Sequence, residues 1–359
     1  MQMSPNPKVV VTGSVAYDYL MRFPGKFRDV VVPDRLHRLS VSFLVDEMRR
    51  VRGGVAPNIA YGLALFGLTP AIFATAGQDA SDYRTWLGEE GVDVSGMRLC
   101  DDVFTASFFV STDEEQNQIA TFYAGAMARA SELTFRSFAP GSVALALICP
   151  SDPTAMRQHA RECRELGIPF VYDPSQQVAR LDGADLLDGL DGAAMLIGNE
   201  YELGVIEKKT GLSEAELAAK VPVLVITRGE EGATIALRGG SPEEPGGART
   251  LLIPAARLRA AALDPTGVGD AFRSGLLASR LRGLPWEEAG RVGAVAAVLC
   301  LETLGPQPRR WDLDELLERY AESYGESLGE ALAARLRGEA DGGAGAGPAA
   351  ATARFSLLD

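Results

Sequence analysis

Histidine is nearly missing from this chain of 359 residues: His37 and His159 are the two present. A histidine-built zinc site or a Ser-His-Asp triad would have to use one of them. His159 lies in the polar stretch 157–164 and His37 between Arg35 and Arg38, so both read as parts of solvated surfaces. Cysteine is scarce as well. Cys100, Cys149, Cys163 and Cys300 stand far apart without metal-ligand spacing, and a chain with a core this large needs no disulfide staples, so reduced thiols in a cytoplasm are expected. No basic run exceeds two residues and the net charge is −13, which excludes nucleic acid as a general partner, because binding a phosphate backbone takes clustered Lys and Arg. A long apolar run is absent too. The polar segment 1–8 leads into the apolar stretch 9–12, too short for a signal core or a membrane span. The expectation is a soluble cytoplasmic protein.

Hydrophobic residues make up 47% of the chain, enough for one large domain. Short β-like runs at 9–12, 71–76, 143–149, 170–173, 195–198 and 223–227 alternate with helical stretches at 57–66, 154–166 and 200–209. This alternation predicts βαβ units around a mostly parallel sheet covered by helices on both faces. Two regions, 17–46 and 103–124, lack a long helix and carry strand-like runs, at 105–112 and 118–123 in the second. They are expected to form a small separate sheet, inserted into a domain spanning 9–337, that serves as a lid. Residues 338–359 turn to alanine and glycine with few large apolar side chains, which predicts a disordered tail.

The most informative stretch is Asp264-Pro265-Thr266-Gly267-Val268-Gly269-Asp270-Ala271-Phe272. Two glycines expose backbone N–H groups, a carboxylate follows directly, and the apolar run 271–278 reads as the helix they open. Amides at a helix N-terminus bind anions through their unsatisfied N–H groups and the helix dipole. Asp270 in the same turn is placed to take a proton from a hydroxyl facing that anion. A plain glycine-rich strand-to-helix turn would use the same letters. The chain has no Walker A motif, no Gly-x-Gly-x-x-Gly fingerprint and no Asp-Phe-Gly set, so phosphate would be handled on a different scaffold.

Four more segments join this turn. Asp18 follows Gly13-Ser14 at the end of the first strand, where ligands gather in open α/β sheets, and its carboxylate can accept two hydrogen bonds from a vicinal diol. In Gly53-Gly54-Val55-Ala56-Pro57-Asn58 the glycines would let a ligand approach the backbone, and Asn58 can both donate to and accept from a hydroxyl. Asn199 and Glu202 lie three residues apart, on one helix face, able to hold a hydrated Mg2+ beside a phosphate or simply to cap a helix. Thr227-Arg228-Gly229-Glu230-Glu231-Gly232 ends a strand in a glycine loop suited to a nucleotide's far phosphates and ribose, or to a hairpin.

In this order these segments resemble the ribokinase-like, or PfkB, family of carbohydrate and nucleoside kinases. The stretch 264–270 matches the family's C-terminal signature, Gly53-Gly54 with Asn58 its N-terminal glycine motif, and Asn199 with Glu202 its Asn-x-x-Glu motif. Within the family the chain is most similar to the actinobacterial type of adenosine kinase, through 11–14, 20–25, 42–46, 121–127 and Asp173-Pro174-Ser175-Gln176-Gln177. Ala124 stands where that type has proline, and Pro265 where many family members have threonine. The resemblance implies phosphorylation of the 5′-hydroxyl of adenosine by ATP in purine salvage, with Asp270 as catalytic base and Gly267, Val268, Gly269 and Asp270 as the anion hole. It implies Ser14, Asp18, Ser42, Gly54 and Asn58 at the ribose, Phe108 and Phe122 stacked on the base, and Gln176 and Gln177 hydrogen-bonded to it. Asn199, Thr227, Gly229, Gly232, Gly267 and Gly269 would hold ATP, with Mg2+ reached through water by Asn199 and Glu202. A monovalent cation, K+, is implied at Asp264 and Thr266, and a homodimer through the lid sheets. Another sugar or nucleoside kinase of the family, or a nucleoside-binding protein without catalysis, stays open at this point.

Overall fold

The computed structural model describes residues 8–31, 40–239, 248–308 and 310–337; the expected tail at 338–359 and His37 lie outside them. Fourteen strands are described: β1 (Lys8–Thr12), β2 (Ala16–Arg22), β3 (Glu47–Gly53), β4 (Ala71–Ile72), β5 (Ala74–Gly77), β6 (Met97–Cys100), β7 (Ala106–Thr112), β8 (Gln118–Tyr123), β9 (Val143–Ile148), β10 (Phe170–Tyr172), β11 (Met195–Asn199), β12 (Val223–Thr227), β13 (Ala233–Arg238) and β14 (Ala248–Ile253). Eight form the central sheet in the order β14-β13-β12-β11-β10-β9-β1-β4. From β4 to β12 every pairing is parallel, and β13 and β14 add an antiparallel edge.

The parallel strands are short apolar runs because both of their faces are covered. In β9, Val-Ala-Leu-Ala-Leu-Ile, all six residues are buried. Successive side chains point to opposite faces, so one apolar cluster takes Val9, Val11, Leu145, Leu147, Ile197 and Val225 and the other Val10, Ala146, Ile148, Leu196 and Leu224. Helices Val55–Leu65, Val268–Leu281 and Trp286–Leu301 close the first face, and Pro153–Leu166, Gly183–Leu190 and Glu200–Thr210 the second. Because the strands run parallel, the chain leaves β1, β9, β10, β11 and β12 along one sheet edge, which gathers Ser14, Cys149, Asp173, Asn199 and Thr227.

A second, four-stranded sheet has the order β3-β2-β7-β8. Its β2 and β7 strands pair in parallel, the other two pairs being antiparallel. The 103–124 region supplies β7 and β8 as expected, but β3 lies at Glu47–Gly53, just beyond the expected 17–46 segment. Four charged residues among its seven, Glu47, Arg49, Arg50 and Arg52, mask its strand character. The single run expected at 71–76 is two strands in two sheets, β4 beside β1 and β5 beside β6, with the buried Phe73 between them. His159 is also not on a solvated face. It is buried, with Nε2 3.1 Å from the Leu133 carbonyl and its ring edge-on to Phe135.

Candidate active site

The 264–270 turn is built from its aspartate upward. Asp264 accepts the Thr266 N–H on Oδ1 (2.9 Å) and the Gly305 N–H on Oδ2 (3.0 Å), tying the turn to the segment after helix Trp286–Leu301. Gly267 caps helix Val268–Leu281 at a φ of 78°. A Cβ there would sit 2.6 Å from Pro306 Cα, so both conformation and space demand glycine. The amides of Gly269 and Asp270 have no hydrogen-bond partner among the described residues. They are the exposed donors that an anion would meet at a helix N-terminus.

Asp270 opens that helix half-buried, its Oδ2 accepting a hydrogen bond from Asn58 Nδ2 at 2.8 Å. Burial pushes its carboxyl up to about 7, against the pull of Arg273 and the Asn58 hydrogen bond. Arg273 lies one turn on, on the same helix face. Its guanidinium is buried, ion-paired to the buried Asp173 at 2.6 Å, and donates through Nη2 to Asp173 Oδ1 (2.9 Å) and Ser175 Oγ (3.2 Å). With little screening at that depth, the Arg273 charge acts on Asp270 as well as on Asp173.

The second sheet faces this turn with a row of in-register residues. Val51 pairs with Asp18, Asp18 with Phe108, and Phe108 with Phe122, so all four point to one face. That face looks toward the 264–305 turn, since a Cβ on Gly305 would lie 3.2 Å from Val51 Cγ1. Asp18 is half-buried, and burial together with the Asp264 charge raises its carboxyl to about 6. Ser14 Oγ accepts the Val55 N–H (3.2 Å), serving the start of helix Val55–Leu65.

The other expected binding residues have different local reasons to be where they are. A Cβ on Gly54 would strike the Ser14 carbonyl at 2.5 Å, and one on Gly53 the Asp18 carboxylate at 2.7 Å. The glycines admit neighbouring protein atoms rather than opening backbone to a ligand. Ser42 and Gln176 are exposed, whereas Gln177 is buried with no partner for Oε1. On the nucleotide side, Asn199 and Glu202 form a reciprocal capping box: Asn199 Oδ1 accepts the Glu202 N–H and Glu202 Oε2 the Asn199 N–H, each at 2.8 Å. Burial raises the Glu202 carboxyl. Asn199 pairs with Thr227 across β11 and β12, and 228–232 is the turn of the β12-β13 hairpin. Gly232 is needed where a Cβ would meet the Ile253 carbonyl at 2.0 Å; Gly229 faces open space.

A model of the pfkB family of carbohydrate kinases matches residues 7–312. This chain belongs to the pfkB family. Among curated relatives, the nucleoside kinase of Methanothermobacter thermautotrophicus is 27% identical over 89% of this kinase and 97% of its own length. Among solved structures, the Burkholderia thailandensis nucleoside kinase bound to inosine is 36% identical, with a TM-score of 0.76 over 89% of this kinase and 98% of that chain. Its complex with ADP and inosine gives 37% and 0.74, over 89% and 96%. The Methanocaldococcus jannaschii nucleoside kinase, at 23% identity and a TM-score of 0.76 over 88% and 99%, shares the fold. The ribokinase-like α/β architecture read from the sequence is thus the architecture of this kinase.

Sequence reasoning missed Arg273, Asp173 and Gln307 in this kinase. Arg273 is hidden in the apolar run 271–278, where a lone charge three residues after Asp270 was the available signal. Asp173 follows β10 at the sheet edge and was legible as a position, not as an ion-pair partner. Gln307 donates to Asn58 Oδ1 at 3.2 Å, and nothing in its surrounding sequence marks it. Asn199 Oδ1 and Glu202 Oε2 are already engaged. The remaining Glu202 oxygen is free to accept from a water of a hydrated Mg2+. Among the described residues no three His, Cys, Asp or Glu side chains converge as metal ligands.

Proposed function

We propose that this kinase transfers the γ-phosphoryl group of ATP to the 5′-hydroxyl of a purine nucleoside, adenosine first, as an adenosine 5′-phosphotransferase of purine salvage. One observation carries the reading: Asp270, held by Asn58 at the free amides of a helix N-terminus, ends the turn begun by Asp264, whose charge reaches Asp18, the in-register neighbour of Phe108 and, through it, of Phe122. Asp270 accepts the hydroxyl proton as the oxygen attacks the γ-phosphorus, and the 267–270 amides with Arg273 bear the charge on the transferring group. Asp18 and Asn58 take the ribose hydroxyls, with Ser14, Ser42 and Gly54 around them. Phe108 and Phe122 stack on the base, worth about 1–3 kcal/mol per base, and Gln176 and Gln177 hydrogen-bond it. Thr227, Gly229 and Gly232 lie along ATP, beside Asn199. Bound Mg2+ supplies charge neutralisation at the phosphates, and Glu202 with Asn199 would orient its waters. K+ at Asp264 and Thr266 would offset the mutual repulsion of Asp264 and Asp18. The second sheet acts as a lid that excludes water.

The inosine complexes of the Burkholderia enzyme favour a second reading, a broader purine nucleoside kinase. Coupled ADP production across adenosine, inosine, guanosine, cytidine, ribose and fructose separates the two. Adenosine is expected to lead by about tenfold or more in kcat/KM, a margin that one well-placed base hydrogen bond can give. Equal rates on inosine would support the broader enzyme. Preference for a free sugar would return Phe108 and Phe122 to lid packing.

A further inference from the structure

Behind Asn58 the hydrogen bonds can run in one direction only. Tyr83, fully buried, donates its hydroxyl to the Gly53 carbonyl at 3.0 Å. A carbonyl has no proton to return, so the Tyr83 oxygen is left as an acceptor. It accepts from Gln307 Nε2, whose second proton goes to Asn58 Oδ1 at 3.2 Å. With its oxygen engaged, Asn58 presents Nδ2 to the Asp270 carboxylate, 2.8 Å away. Reversing the Gln307 amide would set its oxygen against Asn58 Oδ1, and reversing Asn58 would set oxygen against the carboxylate. The two ends, a carbonyl and the ionised Asp270 carboxylate, only accept, and they fix both amides between them.

The segment that carries Gln307 is itself pinned. The Gly305 N–H donates to Asp264, Pro306 packs against Gly267, and the Pro308 carbonyl accepts the Tyr61 hydroxyl at 3.0 Å. Gln307 thus belongs to the support of the 264–270 turn, although it lies 37 residues from Asp270 in sequence. We infer that Gln307, oriented by Tyr83, is a positioning residue that holds the Asn58 amide with its NH2 toward Asp270. This rests on the reading of Asp270 as the base. The held donor favours the ionised carboxylate, as a hydrogen bond to a charged form does. Also facing Asp270 are Arg273 from its own helix, Asp173 after β10, Glu202 from helix Glu200–Thr210, and the thiols of Cys149 and Cys300.

The test compares Gln307→Met, Gln307→Glu and Tyr83→Phe with the full-length wild-type kinase. Gln307→Met frees the Asn58 amide to turn, and kcat near neutral pH is expected to fall about tenfold, a fraction of what general-base catalysis supplies. The acid limb of the kcat–pH profile should move to higher pH, with KM for ATP unchanged. Gln307→Glu keeps the shape but can only accept when ionised, and should do worse. Tyr83→Phe keeps its ring in the core and should fall between wild type and Gln307→Met. Titration of the Asp270 carboxyl by NMR reads the same effect without turnover and should show an upward shift in Gln307→Met and Tyr83→Phe. Wild-type kcat with an unmoved acid limb in folded Gln307→Met or Tyr83→Phe overturns the inference, as does an unmoved NMR titration. So does a loss of kcat with the acid limb unmoved, which marks packing alone. A wild-type kinase inactive on every nucleoside would instead overturn the proposed substrate, and the NMR titration would still decide the role of Gln307.

Discussion

At the scale of the residue, the site rests on carboxyls kept away from their ordinary charge state. Asp270 is raised to about 7 and Asp18 to about 6, in both cases chiefly by burial. A raised carboxyl contributes stability in full below its unfolded value and loses it as pH climbs through the folded one. Asp270 therefore costs the native state most above neutrality, where it is also ready to accept a proton. The Asp270→Asn variant removes that charge. Its unfolding free energy should exceed that of wild type by a margin that widens from about pH 4 to about pH 7, reaching on the order of 1–3 kcal/mol. Thermal unfolding at several pH values measures it; a margin that stays constant would show that Asp270 is not strained by its charge.

At the scale of the element, the glycine turn and helix Val268–Leu281 place amides and base together. Gly267 combines a φ of 78° with a Cβ position blocked by Pro306. Gly267→Ala should cost about 1–3 kcal/mol of stability from backbone strain and lower turnover more steeply than it weakens nucleoside binding. Calorimetry and steady-state kinetics with both quantities unchanged would remove the argument for the turn. This element was legible because glycine and aspartate at fixed offsets have few other uses. The parallel strands were legible because burial on both faces writes them as apolar runs. Other elements were not. β3 is an arginine-bearing strand, and β4 and β5 share one apolar run because the chain changes sheets at Phe73. His159 sits among polar letters but turns inward on an amphipathic helix, between Leu133 and Phe135. Arg273 and Gln307 meet Asp173 and Asn58 only through tertiary packing, which short-range pattern does not encode.

At the scale of the molecule, the central sheet supplies a fixed edge and the smaller sheet brings a second wall to it. The smaller sheet also leaves apolar side chains uncovered on the face away from Asp18: Phe109, Ile119 and Tyr123 are each exposed. Patches of this kind mark interaction surfaces, and the homodimer through the lid sheets expected from the sequence would cover this one. Light scattering is expected to give twice the mass of one chain, and a monomer at working concentration would contradict the dimer. The four cysteines are free and buried, and no helix among the described residues is long and apolar enough to cross a membrane.

The central claim is that Asp270 is the base that activates a nucleoside hydroxyl toward ATP. It is tested most directly by coupled ADP production on adenosine with wild type and Asp270→Asn, alongside adenosine binding by calorimetry. Asp270→Asn should lose about 10²–10⁴-fold in kcat while binding adenosine within a few-fold of wild type. Near-wild-type turnover in that variant would contradict the account.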